Sequence, residues 1–111
     1  MSGDVIRLVQ GDSKPIIILT LTDDITRSPI DLSAGSTTVQ VKFRQAGTTE
    51  VLATINTSKL SDGTTGQVQF DFSGGVLDVA PGAYEGEIQI DFGGQLQTVY
   101  DTIRFRVREN F

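Results

Sequence analysis

The sequence contains no cysteine, no histidine and no tryptophan, and only three prolines among its 111 residues. Without cysteine there is no disulfide scaffold, iron–sulfur cluster, thiolate zinc site or cysteine nucleophile. Without histidine there are no imidazole metal ligands, and the commonest general base is missing. Most familiar enzyme chemistries are excluded with them, and no cofactor or metal is expected. Long apolar runs are also absent: the longest, Ile16 to Leu19, is four residues, far too short to cross a bilayer. The start, Met1-Ser2-Gly3-Asp4, has neither a basic nor an apolar signal region, so a soluble chain not exported by a cleaved signal is expected. Positive charge is scarce as well. Nine Lys and Arg against fourteen Asp and Glu give a net charge of -5, which argues against a binder of nucleic-acid backbone. Neither nucleic acid nor membrane is an expected partner.

What is present is the pattern of an all-β chain. At 12.0 kDa, one domain over residues 1–111 can bury roughly 65% of its unfolded surface and hold a single core without metals or disulfides. Seven alternating or β-branched stretches are separated by Gly, Pro, Asp or Ser clusters at intervals of roughly 8 to 12 residues, the signature of an antiparallel, immunoglobulin-like β-sandwich. Strands are expected over Val5–Val9, Ile16–Thr22, Thr38–Gln45, Glu50–Asn56, from about Gly66 to Phe72, over Tyr84–Phe92 and over Leu96–Arg108. Alternation turns Val39, Val41 and Phe43 inward, then Val51, Ala53 and Ile55, then Val68, Phe70 and Phe72. Ile16–Thr22 is apolar on both faces, with Ile17, Leu19 and Leu21 on one and Ile16 and Ile18 on the other. Such a strand is expected at the centre of a sheet, because an exposed apolar edge invites other chains to pair. Asp23 to Ser36 reads as turns with one short strand around Pro29–Leu32, Asn56 to Gly66 as a polar loop, and Ser73 to Pro81 as irregular with a single helical turn.

The last hairpin has a definite predicted register. Gly93-Gly94 suits a type I′ turn, and pairing Phe92 with Gln95 makes opposed residue numbers sum to 187. Ile88 then faces Val99, and Tyr84 faces Ile103. Arg104 lies opposite Ala83 and diagonal to Glu85, within reach of a cross-strand ion pair. The outward face collects Glu85, Glu87, Gln89 and Asp91 with Thr98, Tyr100, Arg104, Arg106 and Arg108.

Each motif with a chemical reading has a simpler structural one. Gly11-Asp12-Ser13 is the opening of a serine-esterase block, but Lys14-Pro15 follows and no base exists to take the hydroxyl proton, so a tight turn is expected. Asp23-Asp24 and Asp62-Gly63 lack the alternating acids and terminal Glu of a calcium loop and read as solvated turn acids. Glu85 and Glu87 share a face as a glycosidase pair would, yet arginines lie near both, and a charge-paired sheet face is the stronger reading. The stripe Arg104, Arg106, Arg108 has no interleaved outward aromatics to stack bases. Structural pairing outweighs a partner site for it, although an exposed Tyr100 beside arginines matches the composition of protein interfaces. Asn56-Thr57-Ser58 is a glycosylation sequon, relevant only in a secretory lumen.

One set of residues, taken in order, resembles a known family. Gly11-Asp12-Ser13-x-Pro15 enters a strand ending Leu21-Thr22-Asp23, followed by Pro29-Ile30-Asp31-Leu32-Ser33 and Val39-x-Val41-x-Phe43-Arg44. Gly66-x-Val68-x-Phe70, Pro81-Gly82-x-Tyr84-x-Gly86-Glu87-Ile88 and Gln97-Thr98 complete it. This is similar to the immunoglobulin-like N-terminal domain of phage baseplate upper proteins and to short phage virion proteins, over about Ile6 to Val107. The resemblance implies a non-enzymatic virion structural protein, made in the host cytoplasm and present in multiple copies in a symmetric assembly. It docks a larger virion protein at the tail, baseplate or fibre junction; the alternative is a decoration protein on the major capsid protein. Baseplate members of the family continue into long C-terminal segments whereas this sequence stops at Phe111, which points to an accessory rather than to receptor binding. Tyr100, Arg104, Arg106 and Phe111 are the expected contact residues, Phe111 because a terminal apolar ring is placed to insert into a partner. A carbohydrate-binding sandwich is the reading from another class, weakened by the shortage of aromatics to stack on sugars.

Overall fold

A computed structural model describes residues 5–23, 25–99 and 102–111. Nine strands are formed among the described residues: β1 (Val5–Val9), β2 (Ile17–Thr20), β3 (Thr37–Gln45), β4 (Ala53–Asn56), β5 (Ser58–Lys59), β6 (Gln67–Phe70), β7 (Gly82–Phe92), β8 (Leu96–Thr98) and β9 (Ile103–Arg108). They make two sheets. The larger runs β1-β9-β7-β3-β4, with β8 also on β7, and the smaller runs β2-β6-β5. All pairings are antiparallel except β1 with β9. The fold is the expected all-β immunoglobulin-like sandwich, with two more strands than the seven expected and one parallel pair.

The alternation in the sequence dictates what the sheets enclose. Val39, Val41 and Phe43 of β3, Tyr84, Ile88 and Ile90 of β7, and Ile103, Phe105 and Val107 of β9 are all buried, against Leu19 of β2 and Val68 and Phe70 of β6. Phe43 stacks on Tyr84 at 5.1 Å between ring centres, and Phe72 meets Phe105 edge-on at 5.7 Å, the two geometries a ring quadrupole favours. The Tyr84 hydroxyl donates to the Ala80 carbonyl at 2.6 Å, satisfying its one polar atom and pinning the entry to β7. Leu32 and Leu77, from segments outside any strand, are fully buried and anchor their loops to the core.

Several expectations are corrected. β2 is an edge strand, not a central one, and Ile16 and Ile18 are 50% and 57% exposed. The reason lies in β1, which crosses to the larger sheet, where Ile6 and Leu8 lie beside Phe105 and Val107; among the described residues no strand then pairs with the other flank of β2. The final hairpin begins in the predicted register, Gln89 opposite Thr98 and Ile90 opposite Gln97, with Gly93 and Gly94 both at the positive φ that a type I′ turn requires. The Val99 amide still bonds the Ile88 carbonyl. By Ile103 the sum has become 189, so Tyr84 faces Phe105 and Arg104 faces Glu85. Two extra residues are taken up between Val99 and Ile103. An even number preserves which side chains point inward, which is why the buried set was right although the partners were not. Val51 is 45% exposed and lies outside β4, the loop Asn56–Gly66 contains β5, Ser73–Pro81 forms turns without a helix, and the short strand near Pro29 is a single bridge to Thr22.

Candidate functional site

The outward face of the larger sheet is where the chain's few cations gather. Cross-strand partners share a face, so the registers place Val5, Arg104, Glu85 and Arg44 in one row across β1, β9, β7 and β3. Arg7, Arg106 and Ala83 form the next row, and Lys42 lies beside Glu87 on the other side. Arg108 closes the end of β9. Among the described residues, six of the nine cations therefore occupy this face with three carboxylates, Glu85, Glu87 and Asp91. Elsewhere the described residues carry three cations, Lys14, Arg27 and Lys59, against eight carboxylates. In a chain with a net charge of -5, the described residues thus place an excess of cations on this one face.

The expected pairing of this stripe with Glu85 is not what forms. Glu85 accepts from Arg44 Nε at 2.9 Å across β3 and β7, the one ion pair among the described residues. With its carboxylate held there, the reading of Glu85 and Glu87 as a catalytic pair has nothing to support it. Arg104, Arg106 and Arg7 are left without carboxylate partners among the described residues, and Arg7 and Arg106 are direct neighbours across the parallel pair. Like charges in adjacent positions work against sheet stability, so the fold itself gains nothing from this arrangement. Arg104 and Arg106 line a depression of 390 Å³ with Val5, Ala46, Ala83, Tyr84, Glu85 and Phe105.

The candidate contact residues fall out unequally. Arg104 and Arg106 are together on this face as predicted. Phe111 is fully exposed, and the Arg108 guanidinium sits 4.9 Å from its ring centre, a cation–π contact that holds the terminal ring at the end of β9. Tyr100 lies outside the described residues. Arg7 was missed: its alternation with Ile6 and Leu8 marked it as outward, but only the parallel pairing of β1 with β9 brings it beside Arg106.

The acidic turns behave as structural groups. Asp23 Oδ1 accepts from the Ile25 and Thr26 amides at 2.8 and 3.1 Å, and Asp62 and Asp71 each bind a hydroxyl and an amide two residues on, from Thr64 and Ser73. These bonds favour the ionised form. Asp23, held chiefly by the Thr26 amide, and Asp31, Asp62 and Asp71, held first by the Ser33, Thr64 and Ser73 hydroxyls, all lie below the ordinary carboxylate pKa. The Gly11-Asp12-Ser13 turn is tied by the Gly11 amide to Leu77 O and the Asp12 amide to Val9 O. No group of His, Cys, Asp and Glu suited to a metal ion occurs among the described residues.

No protein-family model and no curated protein matches this chain. Among solved structures, the chain is similar to the N-terminal domain of phage TP901-1 ORF48, at a TM-score of 0.63 and 14% sequence identity, over 94% of this chain and 84% of that one. At that identity the two share a fold.

Proposed function

We propose that this chain is a non-enzymatic structural protein of a phage particle, whose arginine-bearing sheet face docks on an acidic surface of a larger virion protein. The observation that carries the reading is the charge separation: six of nine cations on one sheet face of an acidic chain, three of them without a carboxylate partner among the described residues, with Arg104 and Arg106 lining a depression there. Complementary charge accelerates encounter and selects the partner, while arginine also supplies the bidentate, stackable group that interface centres favour. The fold shared with a phage protein domain, and the family resemblance of the sequence, support the virion setting. Arg104, Arg106 and Phe111 belong to this contact, and Tyr100 is assigned to it by its place in the sequence. Tail, baseplate or fibre junction is the preferred location, with decoration of the capsid as the second reading; one domain repeated in a symmetric particle attaches strongly through many modest contacts.

Cosedimentation of the purified protein with intact and with tail-less particles of the encoding phage tests the assignment. Binding only to tailed particles is expected, weakened by salt and lost in Arg104→Glu/Arg106→Glu. Binding to isolated heads would establish the decoration reading instead, and binding to neither would overturn the virion role.

A further inference from the structure

The smaller sheet carries a second surface, unrelated to the arginines. Among the described residues β2 pairs with β6 on one flank only. Just past β2, the Leu21 amide donates to Gly66 O at 2.8 Å and the Leu21 carbonyl accepts from the Ile30 amide at 2.9 Å. Because Leu21 continues the β2–β6 register, its backbone groups face β6; alternation turns those of Leu19 and Ile17 the same way and those of Ile18 and Thr20 to the open flank. Ile18 therefore offers an amide and a carbonyl without partners among the described residues and a side chain that is 57% exposed, with Ile16 beside it at 50%. Inward from this edge the same sheet face is polar, since Gln69 and Ser58 are the successive neighbours of Ile18.

The other edges among the described residues are shorter or carry polar or charged side chains: β8 is three residues long, with Gln97 and Thr98 after Leu96. β1 carries Arg7, β5 is two residues long and carries Lys59, and β4 turns Thr54 and Asn56 outward. β2 has no charge, proline or bulge between Ile16 and Thr20, the features by which sheets ordinarily block addition of another strand.

We propose that this edge pairs with the same edge of a second copy of the chain, antiparallel and centred on Ile18, joining two three-stranded sheets into one. The sequence is complementary to itself in this register. Ile16 of each copy meets Thr20 of the other, and Lys14 reaches the Thr22-Asp23 end, so that each end of the joint brings a cation to a carboxylate. The arrangement is a closed two-fold; once the β2 edges are joined, the remaining edges of the extended sheet are the short β5 strands with Lys59. Both larger sheets lie on the same side of the joined sheet, so the dimer turns two arginine faces in one direction. Self-association does not depend on the docking reading, but would make that docking bivalent.

Sedimentation equilibrium on the free protein, up to about 1 mM, tests this. A reversible monomer–dimer equilibrium is expected, and Ile18→Lys is expected to weaken it at least about tenfold while leaving the thermal transition in place. Because the chain has no cysteine, Ile18→Cys gives a second readout. Opposed residues in such a pair lie about 5.5 Å apart at Cα, within disulfide range, so mild oxidation should link two copies at residue 18. Ile25→Cys, on a fully open loop position, should not link. A chain that stays monomeric throughout, an Ile18→Lys dimer as tight as the parent, or equal linking at 18 and 25 would each overturn the proposal. Retained binding of the Ile18→Lys monomer to particles would leave the docking reading standing on its own.

Discussion

At the scale of single residues, Gly86 and Tyr84 show how magnitudes separate two changes on one strand. Gly86 lies on the inner face of β7 between Tyr84 and Ile88, where a Cβ would meet Val41 Cγ1 at 2.8 Å and Phe105 Cε2 at 3.1 Å. Val41 is fully buried and β-branched, so it cannot swing aside. Alanine would gain about 0.4–1 kcal/mol from a stiffer unfolded chain, whereas overpacking a close-fitted core costs about 1–3 kcal/mol; the clash wins. Tyr84→Phe removes only the bond to Ala80 O and leaves the stacking on Phe43 intact. Its expected cost is about 0.5–1.5 kcal/mol, toward the lower end because Ala80 is exposed and water can replace the lost donor. Urea unfolding of Gly86→Ala and Tyr84→Phe should therefore rank the glycine variant as the less stable, and the reverse order would mean that the β3–β7–β9 packing is looser than these distances state.

Among the elements, the sheet order makes protection uneven. β7 is bonded on both flanks, to β3 through nine residue pairs and to β8 and β9 on the other side, while β2 has one neighbour. Amide exchange in dilute solution should be slowest at Glu87 and Gln89, whose backbone groups face β3 in the long ladder, and fast at Ile18, since an amide on an open flank exchanges without the sheet opening. Slow exchange at Ile18 under those conditions would contradict the free edge; slowing that grows with concentration is the signature of the proposed dimer. These same strands show what was legible beforehand. The inward sets Val39-Val41-Phe43 and Val68-Phe70-Phe72 could be read because period-two alternation is a local property of the chain. The turn at Gly93-Gly94 and the first pairs of its hairpin were readable for the same reason. The places that misled were non-local. Whether β1 joins β2 or β9 depends on which core surface receives Ile6 and Leu8, and two residues inserted before Ile103 alter partners without altering alternation. Arg104 and Arg106 could accordingly be assigned to one outward face, but their neighbours could not: Glu85 turned to Arg44, and Arg7 arrived from a strand nearly a hundred residues away in the sequence.

For the whole molecule, the distribution of charge sets the response to acid. Asp23, Asp31, Asp62 and Asp71 bind their protons less readily in the folded chain than their ordinary value of 3.8, because each carboxylate accepts bonds from nearby amides or hydroxyls. A group whose folded pKa is depressed contributes stability that is complete above its unfolded pKa and disappears as pH falls through the folded one, since below that point both states carry the proton. The four turns thus add stability at neutral pH that is lost progressively below about pH 4. The same protonation removes the fourteen carboxylates that offset nine cations. Six of those cations lie together on the larger sheet, so the folded state also meets rising self-repulsion just where the turns weaken. Thermal unfolding followed from pH 7 to pH 2.5 should show a flat transition temperature down to about pH 4.5 and a steep fall below it. Replacing Asp62 and Asp71 with asparagine should lower stability at pH 7 yet shrink that fall, because an amide oxygen still accepts the turn bonds but no longer titrates. Adding salt at pH 3 should recover part of the lost stability by screening the arginine face and leave the contribution of the turns unrestored. A transition temperature that stays level to pH 2.5 would mean that neither the turns nor the crowded face bears on the balance between folded and unfolded chain.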